Sequence, residues 1–105
     1  MTHLYTSQIA KIMANNDLVV FDEITAIARQ VLVESLDGNY EATISNGTDM
    51  TDSVSYFDSW IDLTPDKKLN QKMNTVIDYF EKLGYNIQRQ TNTSTNNTFI
   101  WKITW

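Results

Sequence analysis

The feature that most constrains this chain is a change of period at Gly84. Before it, Leu69, Met73, Val76, Ile77, Phe80 and Leu83 recur at spacings of three and four. That is the apolar stripe of a helix with one buried side, predicted over residues 66–83. After it, Tyr85, Ile87 and Arg89 alternate with Asn86, Gln88 and Gln90. Phe99, Trp101, Ile103 and Trp105 likewise alternate with Ile100, Lys102 and Thr104. Period two with aromatic and β-branched residues is the signature of half-buried strands. The polar stretch TNTSTNN between them favours a turn, so 85–105 is predicted to be an antiparallel hairpin. A hairpin is marginal alone in water, so its aromatic face must lie on helices. Trp105, in phase with that face, predicts a pinned C-terminus.

The rest of the chain must supply that helical layer. Thr6 or Ser7 can cap a short helix carrying Ile9, Ile12 and Met13, closed or bent by Asn15-Asn16. Asp17 caps a second helix over about 18–36, with Phe21, Ile24, Ile27, Ala28, Val31, Leu32 and Ser35 as its expected stripe. Asp37-Gly38-Asn39 stops it. Tyr40, Ala42 and Ile44 then alternate with Glu41, Thr43 and Ser45 as a short strand. Thr51 or Asp52 is the expected cap of a short helix through Val54, Phe57 and Trp60-Ile61. Thr64-Pro65-Asp66 opens the last helix. Residues 1–16 read as an N-terminal arm or short helix, and 17–105 as a single α+β domain. The predicted fold is helices packed on a small antiparallel three-stranded sheet with a C-terminal β-hairpin. The order helix-strand-helix-helix-strand-strand is winged-helix-like.

With 105 residues, 42% of them hydrophobic, the chain can bury one modest core. There is no cysteine, which excludes disulfides and thiolate metal sites. No stretch approaches the roughly 20 apolar residues of a membrane span, and no basic-then-apolar leader opens the chain, so no membrane association is expected. The charge of −5 is uneven. Residues 1–62 hold ten acids and two bases, net −8; residues 63–105 hold three acids and six bases, net +3. Such opposed halves suit protein partners or self-association.

No catalytic constellation emerges, and no cofactor is expected. His3 is the one histidine, near the terminus. The acid pairs Asp22/Glu23 and Asp49/Asp52 have no partner pattern for carboxylate catalysis. DMTDS lacks the ligand ladder and closing Glu of a calcium loop. In a winged helix, the 66–83 helix would be the recognition element. Its candidate nucleic-acid contacts are Lys67, Lys68, Gln71, Lys72 and Asn74, with Arg89 and Lys102 from the hairpin. The acidic total disfavours nucleic acid, because that affinity comes largely from neutralising phosphates. Among the aromatics of the C-terminal half, Tyr56 and Trp60 are candidates for a protein interface.

DEITAI at 22–27, GTDMTDS at 47–53, YFDSW at 56–60 and QKMNTVIDYFEKLGYNIQRQTNTSTNNTFIWKITW at 71–105 resemble an uncharacterised family of small proteins of tailed bacteriophages. There, a pattern of the type LGY.I.R.TN..T.NTF.W...W closes the chain. The likeness spans roughly 20–105. It departs at 61–68, where IDLTPDKK stands in place of a turn ending in an Asp-Arg pair. The resemblance implies a phage origin, hence the host cytoplasm or the virion, and carries no functional residue. The resulting expectation is a non-enzymatic phage protein, a minor virion or assembly component acting by protein contacts. The alternatives are a winged-helix nucleic-acid-binding regulator and an acidic inhibitor of a host protein that uses residues 1–62.

Overall fold

The computed structural model describes residues 7–14 and 17–105. Thr6, Asn15-Asn16, His3 and the side chains of Ile9 and Met13, all used above, lie outside the described residues. The element order is α1 (Ser7–Ala14), α2 (Leu18–Leu36), β1 (Glu41–Ile44), α3 (Val54–Trp60), α4 (Lys67–Lys82), β2 (Asn86–Thr91) and β3 (Phe99–Thr104). The three strands form one antiparallel sheet in the order β1-β3-β2. The predicted α+β class and element order are both present.

The two long helices begin and end by the same devices. Asp17 accepts the Val20 N–H at the start of α2. Asp66 accepts those of Lys68 and Leu69 at the start of α4. Each takes up donors that a helix start leaves unpaired. At the end of α4 the Gly84 N–H reaches the Glu81 carbonyl and the Tyr85 N–H that of Phe80. Gly84 has φ +95°, a left-handed geometry that costs glycine little. The Tyr85 ring meets Phe80 edge-on at 5.9 Å, the apolar contact that accompanies this closure. Asn39 and Gly38 close α2 the same way on Glu34 and Ser35.

The inner sheet face is Ala42 and Ile44, Ile87, and Phe99, Trp101 and Ile103, all buried. α4 lays Met73, Val76 and Phe80 on it, and α2 lays down Val20, Ile24, Ile27 and Val31. Ile12 of α1 is buried with them. One aromatic chain runs Phe57–Trp60–Phe99–Trp101; another runs Tyr79–Phe80–Tyr85–Trp105. Trp105 is half-buried, and its N–H donates to the Tyr40 carbonyl at 3.0 Å, so the C-terminus is tied down.

Several expectations need correction. Ala28, Leu32 and Ser35 of the expected α2 stripe are exposed, while Val20 and Glu23 are buried in their stead. Leu83 and Tyr40 are also exposed, and β1 begins at Glu41. The N-cap of α3 is Ser53. Thr51 and Asp52 instead brace the preceding loop, where the Asp52 carboxylate takes the Gly47 N–H. The 92–98 loop, expected only to turn, is internally bonded through Asn92, Thr95 and Thr98.

Candidate interaction site

The predicted nucleic-acid contacts do not converge. Lys67, Lys68, Gln71 and Asn74 lie on the exposed side of α4. Lys72 instead spans to α2, its Nζ 3.0 Å from Asp17. Arg89 is half-buried on the inner sheet face. Its Nη1 lies 3.7 Å from the Met73 sulfur and its guanidinium 5.7 Å from the centre of the Trp60 ring. Burial lowers its pKa. Lys102 sits on the outer face of β3, in register with Thr43 and Gln88, across the sheet from α4.

The charges around the α4 face also oppose phosphate. The Asp66 carboxylate occupies the N–H groups at the helix start, where an anion would otherwise dock. Asp78 and Glu81 stand on the exposed side further along. The 92–98 loop, in the position of a wing, contains no base.

Tyr56 is buried, so it belongs to the core rather than to a surface patch. Burial raises its phenol pKa, and Asp17, Glu23, Asp49 and Asp66 push it the same way. Trp60 is half-buried between Phe57, Phe99 and Arg89.

What sequence reasoning missed is Glu23. It lies on α2 with 1% of its surface exposed, facing the hairpin and the 45–53 loop. Oε2 accepts the Trp101 indole N–H at 2.8 Å and the Thr48 hydroxyl at 2.7 Å. Oε1 lies 3.4 Å from the Met50 N–H. Thr48 is in turn 2.6 Å from the Thr51 hydroxyl. None of these partners is a base. Burial raises the carboxyl pKa above 4.5, and the three donors pull it down against that. The arrangement ties loop, helix and central strand together. It is sealed from solvent, and it presents nothing to a ligand. Position 23 is in phase with Val20 and Ile27, on the ridge that the tertiary structure buries.

The exposed surface carries a different feature. Leu32, Val33 and Leu36 on the last turns of α2, with Tyr40 just beyond, are exposed; Leu36 and Tyr40 reach 79% and 74%. β1 is the edge strand of the sheet, with no described strand on its outer side. A surface groove of about 680 Å³ lined by Glu34 and by Gly38 to Thr43 runs there. Leu63 and Ile61, in the turn between α3 and α4, add a smaller exposed apolar pair.

Among the described residues, no group of three or more acids or histidines could hold a metal, and no helix is long and apolar enough to cross a membrane. Comparison with family models, curated proteins and solved structures finds no match.

Proposed function

We propose that this chain is a non-enzymatic protein that works by protein contacts, as a minor component or assembly factor of a tailed-phage particle. The observation that carries this reading is the run of exposed apolar side chains at the α2–β1 end: Leu32, Val33, Leu36 and Tyr40. Four large apolar side chains left in water at one end of a small domain mark a candidate association site. The sealed environment of Glu23 and the dispersal of the bases agree with it. The likeness of residues 71–105 to small phage proteins supplies the particle. Mass spectrometry of purified particles from a phage that encodes the chain should detect it at a fixed copy number, or detect it in assembly intermediates. Absence from both overturns the reading.

A second reading, nucleic-acid binding, rests on the winged-helix connectivity and on the shared exposed side of Lys67, Lys68, Gln71 and Asn74. Titration of duplex DNA at low salt, wild type against Lys67→Glu/Lys68→Glu, decides it. Binding that the double variant loses would support it. No binding, or equal binding by both, removes it.

A further inference from the structure

The edge of β1 that no described strand covers has the geometry to pair with its own copy, and we infer that the chain forms a two-fold dimer through antiparallel β1–β1 pairing. This deepens the protein-contact reading and rests on it.

The register of the sheet decides which backbone groups are free. The Trp105 N–H donates to the Tyr40 carbonyl, so 40 and 105 are a hydrogen-bonded pair of the β1–β3 ladder. Antiparallel ladders alternate, and Ala42 pairs with Ile103 and Ile44 with Trp101. Ala42 and Ile44 therefore turn their N–H and C=O toward β3. Glu41 and Thr43 turn theirs away. β1 is the edge strand, and no described strand lies on that side.

One symmetric register satisfies these groups within β1 itself. Centred on Ala42, it sets Glu41 opposite Thr43 of the second copy and Thr43 opposite its Glu41. Both are hydrogen-bonded pairs, giving four backbone bonds. Ala42 then faces its own counterpart in the close, non-bonded pair, where a small side chain fits. No like charges stand opposite each other. The register shifted to set Glu41 on Glu41 makes fewer bonds and opposes two carboxylates, which is unfavourable. The preferred register also places Tyr40 across from Ile44 of the second copy. Tyr40 shares the inner face with Ala42 and Ile44 yet is 74% exposed in the single chain. An aromatic opposite a β-branched residue is a favourable cross-strand pair. Ile44 is 7% exposed in the single chain, so Tyr40 meets only the rim of its side chain and the backbone bonds carry most of the pairing.

The test is sedimentation equilibrium of the full chain over a series spanning roughly 1 µM to 1 mM. The expected result is a rise from 12.1 kDa toward twice that mass. Thr43→Pro removes an N–H that β3 does not use. It should move the midpoint of association upward at least about tenfold in concentration while circular dichroism stays unchanged. Tyr40→Ser should weaken association less. Amide exchange of the wild-type chain gives a second readout that does not depend on the variants folding. The Glu41 and Thr43 amides should gain protection only at high concentration. A single 12.1 kDa species throughout, a Thr43→Pro variant that folds and associates as tightly as wild type, assemblies larger than a dimer, or no concentration-dependent protection at these two amides would each overturn the inference. A monomer that is nevertheless found in particles sinks the dimer and leaves the protein-contact reading standing. A dimer absent from both particles and assembly intermediates keeps the β1 pairing and overturns the particle role.

Discussion

The two long helices were assembled by opposite rules. α4 is mostly polar, with a single apolar stripe, and it buries the centre of the stripe its period announces, Met73, Val76 and Phe80, with Leu69 and Ile77 half-buried and Leu83 exposed. α2 is apolar most of the way round, so its period is compatible with more than one buried side. The tertiary structure chooses the ridge of Val20, Ile24, Ile27 and Val31, and Leu32 and Leu36 are left in water. A helix with one apolar face has its orientation written into it. A helix with two can seal a core and still offer a surface, as Leu32 and Leu36 do here.

That contrast can be broken by substitution. The largest effect is expected at the anchor of the buried side: Ile27→Ala should cost about 2–5 kcal/mol of unfolding free energy, because Ile27 is fully buried. A cost below about 1 kcal/mol in a urea titration would mean that α2 is turned differently. Next, Glu23→Ala strands the Trp101, Thr48 and Met50 donors and should cost about 3 kcal/mol. Near-neutrality would show the site to be wet. Asp17→Ala removes both the α2 cap and the partner of Lys72, so about 1 kcal/mol is expected. Lys72→Ala alone should cost less, and a reversed order of the two would sink the assignment of Asp17 as cap. The smallest effect belongs to the outer side: Leu32→Gln should stay within about 0.5 kcal/mol of wild type. A loss comparable to Ile27→Ala would erase the distinction between the two sides.

A pH series sharpens the same comparison. Burial lifts the Glu23 pKa above 4.5, so the folded state holds this proton more tightly than the unfolded chain. The associated stability is full below the ordinary glutamate range and is lost as pH rises through the folded pKa. Urea midpoints of wild type should therefore fall relative to Glu23→Gln from acid toward neutral pH. Parallel curves would mean that the carboxylate keeps its ordinary pKa and is not sealed.

Some of the candidate surface was legible in the chain and some was not. Lys67, Lys68, Gln71 and Asn74 share a face because helical spacing demands it. Their separation from Arg89 and Lys102 depends on which sheet face meets α4. Alternation puts Arg89 in phase with Ile87, on the inner face, and Lys102 out of phase with Trp101, on the outer. Tyr56 looked like a surface aromatic because a seven-residue helix is too short for its period to reveal the buried side. The Trp101–Glu23 bond joins residues 78 apart in sequence, beyond the reach of any local pattern.

Local chemistry by itself determined the helix stops at Gly38 and Gly84, the cap at Asp17, the hairpin and its aromatic face; Asp66, expected inside the helix start, is instead its cap. These depend on backbone conformation, capping and alternation over a few residues. Only the tertiary structure decided which side of α2 is buried, that Glu23 sits in a buried site of neutral donors, and that β1 is an edge strand with no described strand on its outer side, beside exposed Tyr40. Those outcomes depend on which surfaces meet once the chain has closed, and burial is a property of the meeting rather than of either surface alone.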